Sequence, residues 1–569
     1  MSELKTPGAY VKEVTKFPPS VAQVETAVPV FIGYTDKGPK NELTPIKSLL
    51  DYENAFGAAY KESIVLQNTE NGGLTLVKPQ VNFLMYYSLQ MFFANGGGPC
   101  YVISVGNYVT DDVVNEVAIG DGTTYGLLNG LLQLDKDDEP TLILFPDATS
   151  LPEEDFYAIY QQALNKAAEH NRFVILDTYK GNATEVTDVD GEDLNTIEYF
   201  REMIGNSKYG AAYFPHLKTV LNYSFNEDEN IIHTGLQAVG VTSAIFYEDE
   251  IDAISALRDQ AILEIDKVGT TDPDVLASLL SRAIAIAEAI DEVADDKGDM
   301  DDKLNEARAT LAAIEAHEID DFPLAFSTEF DSMIEALLAR VEASEDFLGD
   351  ASGKKLSALK TTNSELYHRI QAEIAAWKVT LPPSSAVAGI YAKTDSTAGV
   401  WKAPANIGLS YVTATTAKVS NAEQDGYNVD PNGKSINVIR SFSGKGPLVW
   451  GARTLDSQDA EWRFIPVRRL FTMIEKSLEL ATSKFIYEPN DTHTWLRAEA
   501  MVENYLYDLW KQGALAGSNP KEAYYVVVSG ATTGVPDILA GRMNVEIGLA
   551  AVRPAEFIVL NFSHFLQQS

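Results

Sequence analysis

Two acidic segments of this chain carry carboxylates at spacings similar to those of a calcium-binding loop. In TDVDGEDLNTIE, Asp188 and Asp190 stand correctly before a glycine, but Ile197 occupies the place of the bidentate glutamate that closes such a loop. In DDKGDMDDKLNE the glycine comes one place early. Acidic residues in these positions are more typical of loops and helix starts, so the sequence predicts no metal site.

Glycine clusters that could hold a phosphate are arranged wrongly for that chemistry. The run SFSGKGPLVWG lacks the spacing of a P-loop, and Pro447 disfavours a helix starting there as a P-loop requires. Gly96, Gly97 and Gly98 follow a helical pattern and precede a strand-like one, which is the reverse of a dinucleotide-binding turn. No nucleotide or other cofactor is expected.

Residues for nucleophilic or zinc chemistry are scattered. The seven histidines show no HExxH spacing, and no G-x-S-x-G motif occurs. Cys100 is the single cysteine, and its strand-like surroundings CYVISV are typical of a buried apolar thiol. Because a chain of 569 residues usually shows a catalytic constellation if it is an enzyme, this absence favours a structural protein.

The densest basic cluster consists of Arg463, Arg468 and Arg469. The formal net charge of the whole chain is −38, which argues against general electrostatic binding of nucleic acid or anionic membranes. The three arginines could contact an acidic surface of a protein partner. Alternatively, they could form ion pairs within the chain, and the sequence leaves both interpretations open.

Residues 27–225 alternate between apolar strand-like runs and helical periods. The strand candidates are AVPVFIGY, CYVISV, TLILFPD, RFVILDT and YGAAYFPHL, and helical spacing occurs in VNFLMYYSLQMFFANGG, PEEDFYAIYQQALNKAAEH and TIEYFREMIG. Near-continuous apolar strands between helices predict a mainly parallel sheet covered on both faces. We therefore expect a multi-domain α/β (α+β) fold.

The composition becomes helical and acidic from residue 248 to about 377. Between Glu248 and Asp350 there are 29 acidic and 7 basic residues, so −22 of the net charge lies in this stretch. This predicts an inserted helical domain whose charged faces are solvated, with a docking surface for a basic partner as the alternative. Beyond Leu381 the strand-like runs AVAGIYAKT, INVIRSF and LVWGARTL precede the helical runs RRLFTMIEKSLELATSKF and WLRAEAMVENYLYDLWKQGAL.

Both ends of the chain carry strand-like segments, called the arms below. The residues concerned are Tyr10, Val11 and Val14 near the start, and Phe557, Ile558, Val559, Leu560 and Phe562 near the end. A lone terminal strand cannot cover both its faces or pair its own backbone, so each arm needs a partner that these segments do not themselves identify. No secretory signal and no transmembrane helix is expected.

The predicted divisions of the chain follow from these changes of pattern. They are an N-terminal inter-subunit arm (1–26), an α/β domain (27–247), the acidic helical insert (248–377), a second α/β core domain (378–548) and a C-terminal inter-subunit arm (549–569).

Six motifs in order along the chain resemble contractile tail sheath proteins of phage tails, R-type bacteriocins and extracellular contractile injection systems. The N-terminal motif joins TPGAYVKEV to AVPVFIGYTDKGP. The others are LPPSSAVAGIYAKTDSTAGVWKAPAN, INVIRSFSGKGPLVWGARTL, WRFIPVRRLFTMIEKSLELATSKFIYEPND, LWKQGALAGSNPKEAYYVVV and GRMNVEIGLAAVRPAEFIVLNF. The resemblance covers roughly two thirds of the chain; residues 40–225 fit loosely, and residues 248–362 do not match.

The resemblance implies a structural sheath subunit that polymerises as stacked rings, expected to be hexameric, around an inner tube. The polymer would contract from a metastable extended state, and its arms would add strands to neighbouring subunits. The implied partners are the chain itself, the tube, a baseplate and a terminal cap, with no nucleic acid and no direct membrane insertion. Residues 378–548 would lie next to the tube, and the insert on the outer surface.

Assembly is expected in a bacterial cytoplasm, within an injection particle or tail that is later released or membrane-anchored. The large insert favours an injection system. A phage tail sheath is the first alternative to this interpretation, and an α/β enzyme with a helical lid is the second.

Overall fold

The structure is a computed structural model, and it describes most of the chain. The described residues are 21–68, 74–111, 113–121, 125–187, 193–236, 248–266, 272–291, 300–316, 327–343, 351–442 and 444–557.

The strands of the described residues are short outside the central sheet. In chain order they are β1 (Pro29–Thr35), β2 (Thr44–Ile46), β3 (Val65–Asn68), β4 (Leu74–Leu76), β5 (Cys100–Asn107), β6 (Val109–Thr110), β7 (Val113–Val114), β8 (Leu142–Leu144), β9 (Phe173–Asp177), β10 (Glu185–Thr187), β11 (Asp193–Asn195), β12 (Gly210–Phe214), β13 (Leu217–Asn222), β14 (Ile232–Leu236), β15 (Lys378–Leu381), β16 (Ile407–Gly408), β17 (Val412–Thr415), β18 (Ile436–Phe442), β19 (Gly446–Val449), β20 (Tyr524–Val527) and β21 (Glu546–Leu549).

The helices range from one turn to five. They are α1 (Leu49–Phe56), α2 (Met85–Ala94), α3 (Leu127–Gln133), α4 (Glu153–Glu169), α5 (Thr196–Met203), α6 (Glu248–Ile265), α7 (Pro273–Asp291), α8 (Met300–Glu315), α9 (Ser327–Ala343), α10 (Leu356–Thr362), α11 (Ser364–Ala376), α12 (Ser384–Ala398), α13 (Asn421–Asn428), α14 (Ile465–Thr482), α15 (Thr492–Lys511), α16 (Pro520–Ala523) and α17 (Val535–Leu539).

The chain divides into two compact units. The first, called the body, comprises residues 1–60, 81–222 and 378–569; the second comprises residues 61–80 and 223–377. The second unit thus contains the predicted insert together with residues 61–80 and 223–247, which the sequence analysis assigns to the α/β domain.

The body is built on a nine-stranded sheet in the order β16-β19-β18-β12-β9-β8-β1-β5-β2. Its six central strands are parallel, and β2, β19 and β16 pair antiparallel at the edges. All seven residues of β1 are buried, because helices cover both faces of the sheet. On one face, Ile32 packs in the core that includes α3 and α4. Phe31 contacts Phe92 of α2 edge to face, with the ring centroids 5.2 Å apart. The predicted mainly parallel α/β sheet is confirmed.

One predicted strand is wrong. AVAGIYAKT lies within α12, where the residues from Ser384 to Tyr391 are all buried. A helix that is buried on every side has no polar stripe, so its sequence looks like a buried strand. Gly389 allows α12 to approach α2 closely, because a Cβ there would lie 2.5 Å from the carbonyl oxygen of Phe92.

A second core of the body joins α14 and α15 to β20. Its buried members include Leu470, Ile474, Val502 and Leu506, and the two-stranded antiparallel sheet β20-β21 packs beside it. The helical runs RRLFTMIEKSLELATSKF and WLRAEAMVENYLYDLWKQGAL are confirmed as α14 and α15.

The second unit contains two cores. Helices α6 to α9 bury their own apolar side chains together, among them Leu257, Leu280 and Phe330. Strands β3, β4 and β14 pack with α10 and α11 around Leu66 and Leu359. The predicted helical periods of the insert are thus confirmed. No helix within the described ranges is long and apolar enough to cross a bilayer.

Candidate assembly site at the two chain ends

Arg469 lies inside the body on the second turn of α14. Its Nη2 is 2.5 Å from Oδ2 of Asp395, and both side chains are less than a tenth exposed. The guanidinium also lies over the ring of Tyr391 at 4.6 Å. Helix α12, which carries both Asp395 and Tyr391, therefore gives this arginine an ion pair and a cation–π contact.

The same ion pair binds the segment 21–28 that leads into β1, called the N-terminal root. Thr26 donates its hydroxyl to Asp395 at 2.6 Å, and its carbonyl oxygen accepts from Arg469 Nη2 at 3.0 Å. Two residues earlier, the Val24 amide donates to the Ser477 hydroxyl at 3.1 Å. The side chains of Val21 and Val24 pack on the core of α14 and α15.

Helix α12 connects this ion pair to the centre of the sheet. Its first residue, Ser384, is held by Asp177 at the end of β9, and Asp395 is in its last turn. Burial raises the pKa of Asp177 to about 7, although hydrogen bonds from Ser384 and Tyr160 favour the charged form. In the middle of the helix, the Tyr391 hydroxyl bonds that of Tyr213 on β12 at 2.9 Å.

The other two arginines of the predicted basic cluster are also engaged within the chain. Arg468 is 2% exposed, and its Nη2 lies 2.9 Å from Oε2 of Glu475. Its guanidinium carbon lies over the ring of Trp462, 4.4 Å from the centroid. Arg463 is half-buried and donates its Nε to the carbonyl oxygen of Ser457 at 2.8 Å. The contacts of Arg468 and Arg469 match the intramolecular alternative, because buried guanidinium groups present no common basic surface in this conformation.

The C-terminal end of the described chain, residues 550–557, is called the C-terminal root and is held by a second ion pair. Arg453 is 6% exposed, and its Nη2 lies 2.5 Å from Oε2 of Glu556. The Nε of Arg453 donates to both carboxylate oxygens, at 3.0 and 3.2 Å. The next residue, Phe557, is 73% exposed. The last described residue thus presents an aromatic side chain to solvent.

The small sheet β20-β21 lies just before this root. Its strands pair from Tyr524 with Leu549 to Val527 with Glu546, and within the described residues it has no third strand. A groove of about 950 Å³ runs beside β21. Apolar residues from α14 and β21 line it, including Phe471, Ile474, Leu478, Ile547 and Leu549. A two-stranded sheet beside an apolar groove offers strand edges and apolar surface to an extended segment.

The arms themselves lie largely outside the described residues. This holds for Tyr10, Val11 and Val14, and for Ile558, Val559, Leu560 and Phe562. The strand pairing of the arms therefore stays a prediction. Asp188 and Asp190 of the calcium-like segment also lie outside, and the residues that the structure describes place no three His, Cys, Asp or Glu side chains in a group suited to a metal.

Comparisons with known proteins point to one family. A family model described as the phage tail sheath C-terminal domain matches residues 457–564. The tail sheath protein of Vibrio phage KVP40 is 26% identical over 189 residues, which are 32% of this chain and 26% of that relative. The chain thus aligns with about a quarter of that curated relative's length.

Solved sheath structures align over nearly the whole chain. The contracted sheath complex of PVC, an extracellular contractile injection system, covers 99% of this chain and 98% of its own, with a TM-score of 0.53 and 23% identity, which shows a common fold. The contracted helical sheath of the anti-feeding prophage (AFP) covers 98% and 99%, with a TM-score of 0.52 and 25% identity. The chain is thus similar to contractile tail sheath proteins, in sequence over its C-terminal region and in fold over nearly its whole length.

Sequence reasoning missed the residues that hold the two roots. Arg453 lies within a motif of the family resemblance, but nothing in its spacing indicates a bond to Glu556, 103 residues away. Asp395 and Thr26 likewise meet Arg469 only in the folded chain. A sequence signal exists for Arg469 alone, as part of the basic cluster.

Proposed function

We propose that this chain is the sheath subunit of a contractile injection machine. It polymerises as stacked, hexameric rings around an inner tube, and it contracts from a metastable extended state to drive the tube through a target envelope. The single observation that carries the proposal is the C-terminal root, which is bonded to the body directly after a two-stranded sheet that lies beside an apolar groove. Each arm would add a strand to a neighbouring subunit's sheet.

Contraction in this proposal needs no nucleotide. Its energy is the free-energy difference between two packings of the same subunits, released when the end ring is freed. The arms would hold the lattice together while the bodies repack. The partners are the chain itself, the tube, a baseplate and a terminal cap, with neither nucleic acid nor membrane bound directly; the protein is not an enzyme. Assembly takes place in a bacterial cytoplasm, before the particle is released or anchored.

The acidic helices α6 to α9 lie on the outer surface in this proposal. Support comes from their own hydrophobic core, which can be accommodated wherever lattice neighbours leave room. The tube contact is assigned to the C-terminal part of the body, residues 378–548. Of the three arginines, Arg463 is the half-buried one and the better candidate for that contact.

The test is co-expression of this chain with its tube protein, followed by negative-stain microscopy. Tubes of stacked rings that shorten and widen on treatment with denaturant or low pH support the sheath. Uniform small particles under all conditions would favour the enzyme with a helical lid. A phage tail sheath forms the same tubes, so microscopy of particles released by the source bacterium, with or without capsids, distinguishes that alternative.

A further inference from the structure

We infer that the ion pairs Arg469–Asp395 and Arg453–Glu556 are positioning pairs that fix the points where the two arms leave the body. The inference rests on the proposed function and assigns four residues a role within it. Both pairs are formed by an arginine less than a tenth exposed, and each arginine contacts the root of one arm.

Both pairs lie near one end of a single helix. Arg469 is on the second turn of α14. Arg453 is bridged to Phe464, the residue before that helix, and the amide of Ile465 donates to the carbonyl oxygen of Ala452 at 3.0 Å. Since a helix rises about 1.5 Å per residue, Arg469 lies roughly 6 Å along the axis from the start of α14. One rigid element therefore positions the roots of both arms.

The contacts of each pair fix the orientation of the root as well as its position. The Arg453 guanidinium contacts both carboxylate oxygens of Glu556, and a forked contact fixes orientation as well as distance. At the other root, Arg469 and Asp395 bind the backbone and the hydroxyl of Thr26 at once. The two roots are thus held on neighbouring points of one body, Arg453 being bonded to Asn437 on β18 and Asp395 belonging to α12.

The N-terminal root can be released without leaving a buried charge unpaired. The double variant Thr26→Val with Ser477→Ala removes two hydrogen bonds to the root and leaves Arg469 bonded to Asp395. At the C-terminal root, the double variant Arg453→Met with Glu556→Ala removes the pair as a unit, so that no guanidinium is left buried without its carboxylate, and Glu556→Asp retains the charge. Asp135→Ala is the matched control, because it removes a carboxylate from a surface pair with Lys166 at 2.8 Å.

Amide hydrogen exchange of the isolated subunit is the first readout. We expect exchange of Val24 to accelerate at least tenfold in the N-terminal double variant, and that of Val552, whose amide donates to the carbonyl oxygen of Ala514, in the C-terminal double variant, with the melting temperature changed by no more than about 2 °C. Glu556→Asp and Asp135→Ala should exchange as the wild type does. Unchanged exchange, or a large fall in melting temperature, would assign these pairs to core stability and overturn the inference.

Assembly is the second readout. With wild-type tubes as reference, both root variants should form at most a tenth as many tubes, whereas Glu556→Asp and Asp135→Ala should form normal numbers. Normal assembly of the root variants contradicts the inference alone. If the wild type itself forms no tubes, the proposed function fails, and the exchange experiment still decides whether the pairs hold the roots.

Discussion

Asp177 and Ser384 are joined by two hydrogen bonds across 207 residues of sequence: the Ser384 amide donates to Oδ1 at 2.8 Å, and its hydroxyl to Oδ2 at 2.6 Å. The bonds fix the start of α12 at the end of a central strand. Because Asp395 is in the last turn of the same helix, the position of Asp177 governs the placement of the N-terminal root.

Asp177→Asn should be tolerated and should change the pH dependence of stability. The folded pKa of Asp177, about 7, is above its ordinary value of 3.8, so its stabilising contribution is complete below pH 3.8 and is lost as the pH rises through 7. An asparagine can accept from the amide and donate to the Ser384 hydroxyl. From pH 5 to pH 8 the variant should gain on the order of 1–4 kcal/mol relative to wild type.

Calorimetry at several pH values measures this effect, and Glu154→Gln on the exposed side of α4 is the control. Parallel pH profiles of wild type and Asp177→Asn would show that Asp177 is not the titrating group.

Asp147→Asn should be tolerated less well than Asp177→Asn. Asp147 is fully buried and accepts from three amides, those of Tyr34 at 2.7 Å, Leu84 at 2.6 Å and Met85 at 3.2 Å. Its oxygens face donors on both sides, so the amide nitrogen of an asparagine must oppose one of them. We expect a loss of roughly 1–3 kcal/mol in urea unfolding at pH 8. If Asp147→Asn is as stable as Asp177→Asn in urea unfolding, the three amides do not need a carboxylate at residue 147.

Gly389→Ala should destabilise the body. The new methyl group would lie 2.5 Å from the carbonyl oxygen of Phe92 and 2.9 Å from Cβ of Asn95, so α2 and α12 would have to separate. Overpacking of this kind costs roughly 1–3 kcal/mol. Gly426→Ala is the control within α13, since a Cβ there meets nothing within 4 Å, and it should be neutral or slightly stabilising. Equal melting temperatures for the two variants would contradict the prediction that α2 and α12 pack too closely for a side chain at residue 389.

Particular residues show how far the sequence allowed prediction of this fold. Runs such as FVILD at β9 are apolar on both faces and follow helices, which is sufficient to predict a central parallel strand. The run Ala386–Ile390 is equally apolar but helical, and only its packing against α2 and its attachment to Asp177 distinguish it. Local pattern cannot separate a short strand from a helix with no exposed side.

The candidate site was less predictable than the fold. Clustering in the sequence identified Arg469, but its role depends on Asp395, 74 residues away, and on Thr26, 443 residues away. Glu556 lies in the predicted C-terminal arm (549–569), and nothing in the sequence indicates its bonding partner. Ion pairs between distant residues leave no periodic trace, so they appear only when the tertiary structure brings the two side chains together.

Replacing Glu248–Asp350 with a short Gly/Ser linker should leave the rest of the chain folded and able to assemble. Among the described residues, the hydrophobic core of α6 to α9 is formed by that stretch alone, so its removal should leave the other cores covered. Soluble expression and tube counts by microscopy measure the outcome. A longer excision, through Trp377, is the control: it also removes Leu356 and Leu359, which pack with Ile64 and Leu66, and should cause aggregation. An insoluble short excision would show that the insert is integral.

Val559→Pro should abolish polymers and leave the subunit folded. Glu556, which is bonded to Arg453, and Phe557, which is exposed, are the last described residues before residue 559. In the predicted strand, proline removes one backbone N–H and cannot occupy an interior ladder position. The melting temperature should stay within about 2 °C of wild type, because the arm is proposed to pair with a neighbouring subunit rather than with its own body. Gln568→Pro makes the same chemical change outside the apolar run and should assemble normally. If Val559→Pro forms contractile tubes as readily as Gln568→Pro, the C-terminal arm is not a strand of the lattice.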